Sequence, residues 1–253
     1  MSQPQVAALL AAIDGTWPAE HTHTAGAWTI RKGAGGGSRV SAATTCDENA
    51  PLAPMEEAQR ALGQPPLVRL MAEQTRLEAR LAAAGYALKD PTNIYSAPVA
   101  RMAIAPPSLT AFRVALPALA IQRQLWAEGG IGPERQAIMA RVQGPKTTFL
   151  ARAGDSPAGV AFIALHGDIA MLHALEVRPA DRRQGVGRNI MGAAAIWAQD
   201  HGARWLTLLV TQGNAAANAL YTRLEMDFCT HYMYRIKQVH KEAANEEETG
   251  SDE

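Results

Sequence analysis

Cysteine is almost missing from this chain: Cys46 and Cys229 are the only two among 253 residues. Two distant thiols make no disulfide framework and are too few for a zinc ribbon, so no metal is expected. An excess of either charge is missing too. Lys and Arg number 24, as do Asp and Glu, and the formal net charge is zero. Without a basic footprint, neither nucleic acid nor an anionic membrane is expected as a partner. No apolar run approaches the roughly 20 residues of a membrane span. The N-terminus, with Gln3 and Pro4 before a short apolar patch from Val6 to Ile13, carries no basic segment of a secretory signal. These absences point to a cytoplasmic protein. The length allows one large core or two modest ones.

What is present is a glycine turn in a telling place. Arg182, Arg183, Gln184, Gly185, Val186, Gly187 and Arg188 follow the apolar run 171–177 and precede a long helical pattern. A strand that ends in such a turn and opens a helix presents unpaired backbone N–H groups at the positive end of the helix dipole, as a phosphate diester requires. The glycines let the backbone approach, and the arginines add charge-assisted donors. Two other nucleotide loops do not fit. A P-loop needs Lys-Ser/Thr after its last glycine, where this chain has Arg188-Asn189. A dinucleotide fingerprint needs a third glycine, near where Ile190 stands.

Read as R-x-x-G-x-G, Arg182 to Gly187 resembles the acyl-CoA-binding motif of the GCN5-related N-acetyltransferase (GNAT) superfamily. The likeness continues through the strand 203–211, then Asn214, then Ala219-Leu220-Tyr221-Thr222-Arg223-Leu224. It implies an α/β mixed sheet of the acyl-CoA N-acyltransferase fold, with central strands that splay at the ligand. It also implies acetyl-CoA as donor and a primary amine of a small molecule or peptide as acceptor. The donor would be held by Leu175, Val177, the turn residues 182–188 and Asn214. A CoA-binding regulator without turnover and an acyltransferase using another acyl-CoA remain open alternatives. Two departures stand out. Glu225-Met226 replaces the family's usual Gly-Phe, so a different turn is expected at Glu225. Leu209 stands where ribosomal-protein N-terminal acetyltransferases of the family carry a glutamate.

Pro98 to Pro107 reads as a linker between halves, because consecutive prolines continue neither a helix nor a central strand. The second half, 107–240, parses as a strand 112–116, helices 118–128 and 133–142, a hairpin 147–153 and 159–165, a strand 171–177, a helix ended by Gly202, a strand 205–210, a helix capped by Asn214 and a strand 228–236. The first half, 1–106, reads as strands 28–31 and 38–42 around a glycine hairpin turn at 33–37. A helix 55–62, a strand 67–71, a helix 75–84 and a strand near 93–97 follow. That order repeats the order around Gly185, whereas the equivalent turn, Cys46-Asp47-Glu48-Asn49, has carboxylates and no glycine. The first half therefore resembles a degenerate acetyltransferase domain. The acidic tail 241–253 reads as disordered. A tandem arrangement is compatible with a monomer or a homodimer.

Amine acetylation needs a base, because an alkyl amine with a pKa near ~10.4 is protonated at neutral pH. It also needs an oxyanion donor, expected from the backbone around 175–177. An acid for the departing thiolate is needed as well; the resemblance assigns this to Tyr221. The base is either His173 or Glu176. The resemblance favours His173, because arylalkylamine N-acetyltransferases carry a histidine in a similar Leu-His-x-Leu-x-Val stretch. Strand alternation sends His173, Leu175 and Val177 to one face and Leu172, Ala174 and Glu176 to the other. The acceptor pocket is expected between the halves or under the helices 118–142, lined by Trp126, Met139 and first-half residues. His21 and His23 read as solvated loop residues and Cys229 as a buried, inert thiol.

Overall fold

The computed structural model describes residues 3–107 and 109–238; the acidic tail expected at 241–253 lies outside the described residues. The first half contributes α1 (Val6–Thr16), β1 (His21–Ala25), β2 (Trp28–Lys32), α2 (Ser38–Ser41), α3 (Leu52–Ala61), β3 (Leu67–Met71), α4 (Thr75–Ala83) and β4 (Ala87–Pro98). A short α5 (Val99–Met102) leads to β5 (Ala111–Val114), α6 (Ala120–Glu128), α7 (Pro133–Arg141), β6 (Lys146–Ala153), β7 (Ser156–His166) and β8 (Ile169–Val177). The chain ends with α8 (Val186–Asp200), β9 (Trp205–Thr211), α9 (Ala215–Arg223) and β10 (Asp227–Ile236). No helix among the described residues is long and apolar enough to cross a membrane.

One eight-stranded mixed sheet runs through both halves in the order β3-β10-β4-β9-β8-β7-β6-β5. The middle of this order records an exchange. β4 lies antiparallel between β9 and β10, and β10 lies antiparallel between β4 and β3, so each half's last strand pairs with the other half. Helix α8 covers one face of the second half through Ile190, Met191, Ala194 and Ala198. On the other face, α1 packs Leu9 and Ile13 against Met171, Trp205 and Tyr232, while α6 and α7 bury Trp126 and Ile138 against Phe162. A further core in the first half joins Trp28, Met55, Leu70 and Leu81.

Several elements differ from the sequence reading. Residues 38–42 do not form a strand. The hairpin is β1–β2, turning at Gly26 with φ +59°, and the 33–37 loop leads instead into the short helix α2, which buries Val40. His21 and His23 consequently sit in a strand, their rings stacked 6.1 Å apart. α1 was legible only as an apolar patch, although Val6, Leu9, Leu10 and Ile13 follow helical spacing. The stretch 98–107 holds α5 and packs on α8: a Cβ at Gly192 would lie 2.3 Å from the Ile104 carbonyl oxygen.

The turn at Glu225 does not differ from a glycine turn. Glu225 adopts φ +55°, and the Met226 N–H donates back to the Tyr221 carbonyl at 3.1 Å. In the first half Gly85 does the same at φ +81°, with Tyr86 N–H donating to Leu81 C=O at 3.0 Å. A left-handed conformation costs a residue with a Cβ roughly 1–2 kcal/mol, part of which is offset by glycine's greater freedom when unfolded. Glu225→Gly should therefore stabilise the chain by about 1 kcal/mol, read as a higher denaturation midpoint; an unchanged or lower midpoint would contradict the strain.

Candidate active site

The site begins where a strand pair comes apart. β8 and β9 run parallel over four pairs, from Ile169–Trp205 to Leu172–Leu208, and then separate. At the same point β8 is irregular: Ala174 takes φ +52° and the register with β7 shifts between Val160 and Phe162. This bulge breaks the alternation expected from sequence. Leu172, Leu175 and Val177 all pack on the α8 side, whereas Ala174 joins the Trp126 core and His173 meets Trp17 and Phe162. Glu176 lies beside Gly129, on the side of His173 rather than that of Leu172. Trp126 fixes the bulge by donating its indole N–H to the Ala174 carbonyl at 2.8 Å.

The bulge leaves donors pointing into the gap. Arg178 N–H donates to Ala158 C=O of the β7 side at 2.9 Å. Backbone N–H groups alternate along a strand, so those of Leu175 and Val177 point the opposite way, toward the side that β9 has left. Beyond them the chain turns through Arg183 at φ +63° and Gly185 at φ +84° into α8. The first N–H inside that helix to find a carbonyl is Asn189, donating to Gly185 at 2.9 Å. Those of residues 183–188 donate to no described residue, which makes a row of free amides at the head of a 15-residue helix. Arg182, Arg183 and Arg188 are exposed around it, and Arg182 Nε is steered by the Val177 carbonyl at 3.1 Å. A side chain at Gly187 would press on Leu220 of α9, so the cradle and α9 are in close contact. This arrangement fits a diphosphate.

Opposite the turn, Asn214 caps α9 by accepting from Ala217 N–H at 3.1 Å. Asn218 ties the helix to β4 through Tyr95 and Asn93, each at 3.2 Å. Tyr221, 6 % exposed, packs on Tyr95. Burial, reinforced by the Glu176 charge, holds its phenol above the ordinary range. The Glu176 carboxyl is also raised by burial, with Arg182 and Arg135 opposing, and makes no hydrogen bond to a described residue.

His173 is placed differently from Glu176. Its Nδ1 receives the Arg39 guanidinium at 3.1 Å, and its Nε2 meets Thr16 Oγ1 at 2.8 Å. Thr16 gives its own proton to the Ala12 carbonyl at 2.6 Å, so the imidazole is the neutral Nε2–H form with both nitrogens engaged. Burial and the Arg39 charge hold its pKa well below the ordinary value.

A cavity of about 160 Å³ opens beside Ala174 and Thr211, at the point where the strands have parted. First-half residues Trp17, Arg39, Asp90 and Thr92 form one wall, and Tyr232 and Tyr234 of β10 another. Ile131 from the α6–α7 connection and Arg135 from the first turn of α7 close it. Trp126 and Met139, expected to line the acceptor pocket, are instead 0 % and 2 % exposed and belong to the core beneath it. The first-half and β10 residues carry no local motif, and sequence reasoning named none of them individually for the site. Cys229 is half-buried, and burial pushes its thiol up to about 11.

The His173 environment sets a pH dependence. The folded state keeps the imidazole neutral, while the unfolded state protonates near ~6.5. The unfolded state then binds more protons below that pH, so stability is full above it and falls by up to about 1.4 kcal/mol per pH unit as pH drops. His173→Gln should flatten this slope in denaturation curves between pH 7 and 5; an unchanged slope would mean that His173 titrates freely.

Comparison with known proteins agrees with this geometry. Residues 119–226 match the profile described as the acetyltransferase (GNAT) family. Over 86 residues the chain is 36% identical to streptothricin acetyltransferase of Streptomyces lavendulae, a stretch that covers 32% of this chain and 45% of that protein. Among solved structures, a GCN5-related N-acetyltransferase from Kribbella flavida superposes with a TM-score of 0.66 at 18% identity, covering 92% of this chain and 96% of its own. A tandem GNAT protein from the clavulanic acid biosynthesis pathway gives a TM-score of 0.57 at 12% identity, covering 71% and 66%. The chain thus has the GNAT fold, and its residues 119–226 are similar to the acetyltransferase (GNAT) family.

Proposed function

We propose that this chain is an N-acetyltransferase that moves an acetyl group from acetyl-CoA to a primary amine of a small molecule or peptide, by direct attack in a ternary complex. The observation that carries this reading is the row of free amides at residues 183–188 adjoining the gap between β8 and β9. Those amides, with Arg182, Arg183 and Arg188, would hold the diphosphate. Acetyl-CoA, when bound, supplies the thioester carbon that the amine attacks. The Leu175 and Val177 N–H groups are oriented to donate to the carbonyl oxygen as charge develops on it.

Of the two candidate bases, Glu176 fits the task better. Its carboxylate is uncommitted and its pKa is raised toward the working range, whereas both His173 nitrogens are occupied. Glu176 takes the amine proton, the C–N bond forms as the C–S bond breaks, and Tyr221, kept protonated by burial, gives its proton to the departing sulfur. His173 then serves to position Arg39 at the acceptor cavity. Among the described residues Asp90 is the one carboxylate lining that cavity, with Arg39 and Arg135 also in its wall, and it offers a partner for a cationic acceptor.

The first half is, on this reading, an acetyltransferase-like unit without a nucleotide turn. Its β3-α4-β4 order matches β9-α9-β10, its helix stop at Gly85 matches Glu225, and the two units exchange their last strands.

CoA thiol release over a panel of amino acids, arylalkylamines, aminoglycosides, peptides and streptothricin tests the activity. Tyr221→Phe should lower kcat by about 10²-fold or more while leaving CoA affinity unchanged. A chain that binds CoA and releases no thiol with any amine would be a regulator instead. With the best acceptor, kcat/KM should rise with pH through the raised Glu176 pKa and then level. In Glu176→Gln that acid limb should disappear and the rate should fall roughly 10²–10⁴-fold. A limb that survives the substitution would assign the base elsewhere.

A further inference from the structure

The first half contains a second, larger cavity, of about 800 Å³, separate from the acetyl-transfer site. It opens where another parallel contact comes apart. Ala43 bridges Val68 in parallel, and beyond it Thr44 turns away to pair with Thr29. The floor carries two guanidinium groups, Arg31 and Arg69, whose side chains are 8% and 5% exposed. A single carboxylate serves both: Asp14 accepts from Arg31 at 2.7 Å and from Arg69 at 3.3 Å. Arg31 is otherwise engaged by the Ala42 carbonyl and Thr44 Oγ1, each at 3.0 Å. Arg69 lies near the buried Tyr234 phenol but makes no other hydrogen bond, so its Nε and Nη2 remain free among the described residues. Two buried cations thus share one anion, and a buried charge left uncompensated is costly. Burial correspondingly lowers the Arg31 pKa.

The rim has the opposite sign. Asp47, Glu48 and Glu73 surround the mouth. Glu48 is engaged at the head of α4, accepting from the Arg76 and Leu77 N–H groups at 2.9 and 3.1 Å. The Asp47 carboxylate accepts from Asn49 N–H at 2.8 Å, and that of Glu73 is exposed with no hydrogen bond among the described residues. A diphosphate would meet these carboxylates without any glycine turn, which excludes a nucleotide. A basic floor under an acidic rim matches a molecule with a carboxylate at one end and an ammonium at the other. We propose that this cavity is a binding site for a small amino-carboxylate, its carboxylate on Arg69 and Arg31 and its ammonium at Glu73 and Asp47.

Calorimetric titration of the full chain, saturated with CoA, with 5-aminopentanoate, pentanoate and pentylamine tests this. The amino-carboxylate should bind more tightly than either one-ended analogue. Arg69→Gln should weaken it at least tenfold. Glu73→Gln, an exposed change that leaves the core untouched, should weaken 5-aminopentanoate several-fold and leave pentanoate unchanged, which keeps the test valid if Arg69→Gln does not fold. Asp90→Asn, in the acceptor cavity, should leave the binding as it was. No binding at millimolar probe, binding indifferent to the Arg69 and Glu73 changes, or binding lost in Asp90→Asn alone would overturn the proposal.

Discussion

The fold is organised around a parallel strand pair that holds for four residues and then opens. Backbone amides facing a gap in a sheet are a liability unless a ligand or water completes them, and here Leu175 and Val177 are left so. The bulge at Ala174 makes the opening, the Trp126 indole pins it, and α8 begins at the mouth with a row of amides that likewise lack partners among the described residues. Within the second half alone β9 is an edge strand, because β10 does not pair with it. β4 from the first half covers it instead, and β10 in turn crosses to β3. The opening is therefore framed on both sides by a continuous sheet.

This exchange gives the first half a direct part in the site. α1 supplies Thr16, the segment after it supplies Trp17, and α2 supplies Arg39; all three converge on His173 of β8. The imidazole is buried, neutral and fully hydrogen-bonded, and so behaves as a fixed acceptor for the guanidinium. Arg39 is half-buried, and this contact, with the Trp17 ring beneath it, offsets part of its lost hydration. The Arg31–Asp14–Arg69 cluster sits on the other side of the same helix region, with Asp14 two residues before Thr16. The end of α1 thus meets the two cavities, through Asp14 in the larger one and through Trp17, just beyond the helix, in the other.

Much of the second half was legible because its signals are local. The glycine turn, the Asn214 cap and the turn formers between β6 and β7 each act within a few residues, and each falls where the periodicity of the chain changes. The bulge was not legible. Ala174 gives no sign of a left-handed conformation, and without it alternation assigns His173 and Glu176 to opposite faces. In the first half the glycine-rich stretch 33–37 reads as the hairpin turn, whereas β1 and β2 pair across Gly26, a lone glycine with no second turn former beside it. Glu225 shows the converse: tertiary context imposes a glycine-like turn on a residue that does not favour it. The proposed acceptor cavity was the least legible part, since Arg39 comes from α2 while Asp90, Tyr232 and Tyr234 come from the strands that cross between halves, which no local pattern encodes.

The central claim is that main-chain amides at the head of α8 hold the diphosphate of CoA. A ¹H–¹⁵N amide spectrum of the full chain, titrated with CoA, tests it most directly. The account predicts that the amides of residues 183–188 shift most, with Leu175 and Val177 next, and that Thr45 to Asn49 in the first half stay still. Largest shifts in the first half, or none at 183–188 with CoA bound, would contradict it.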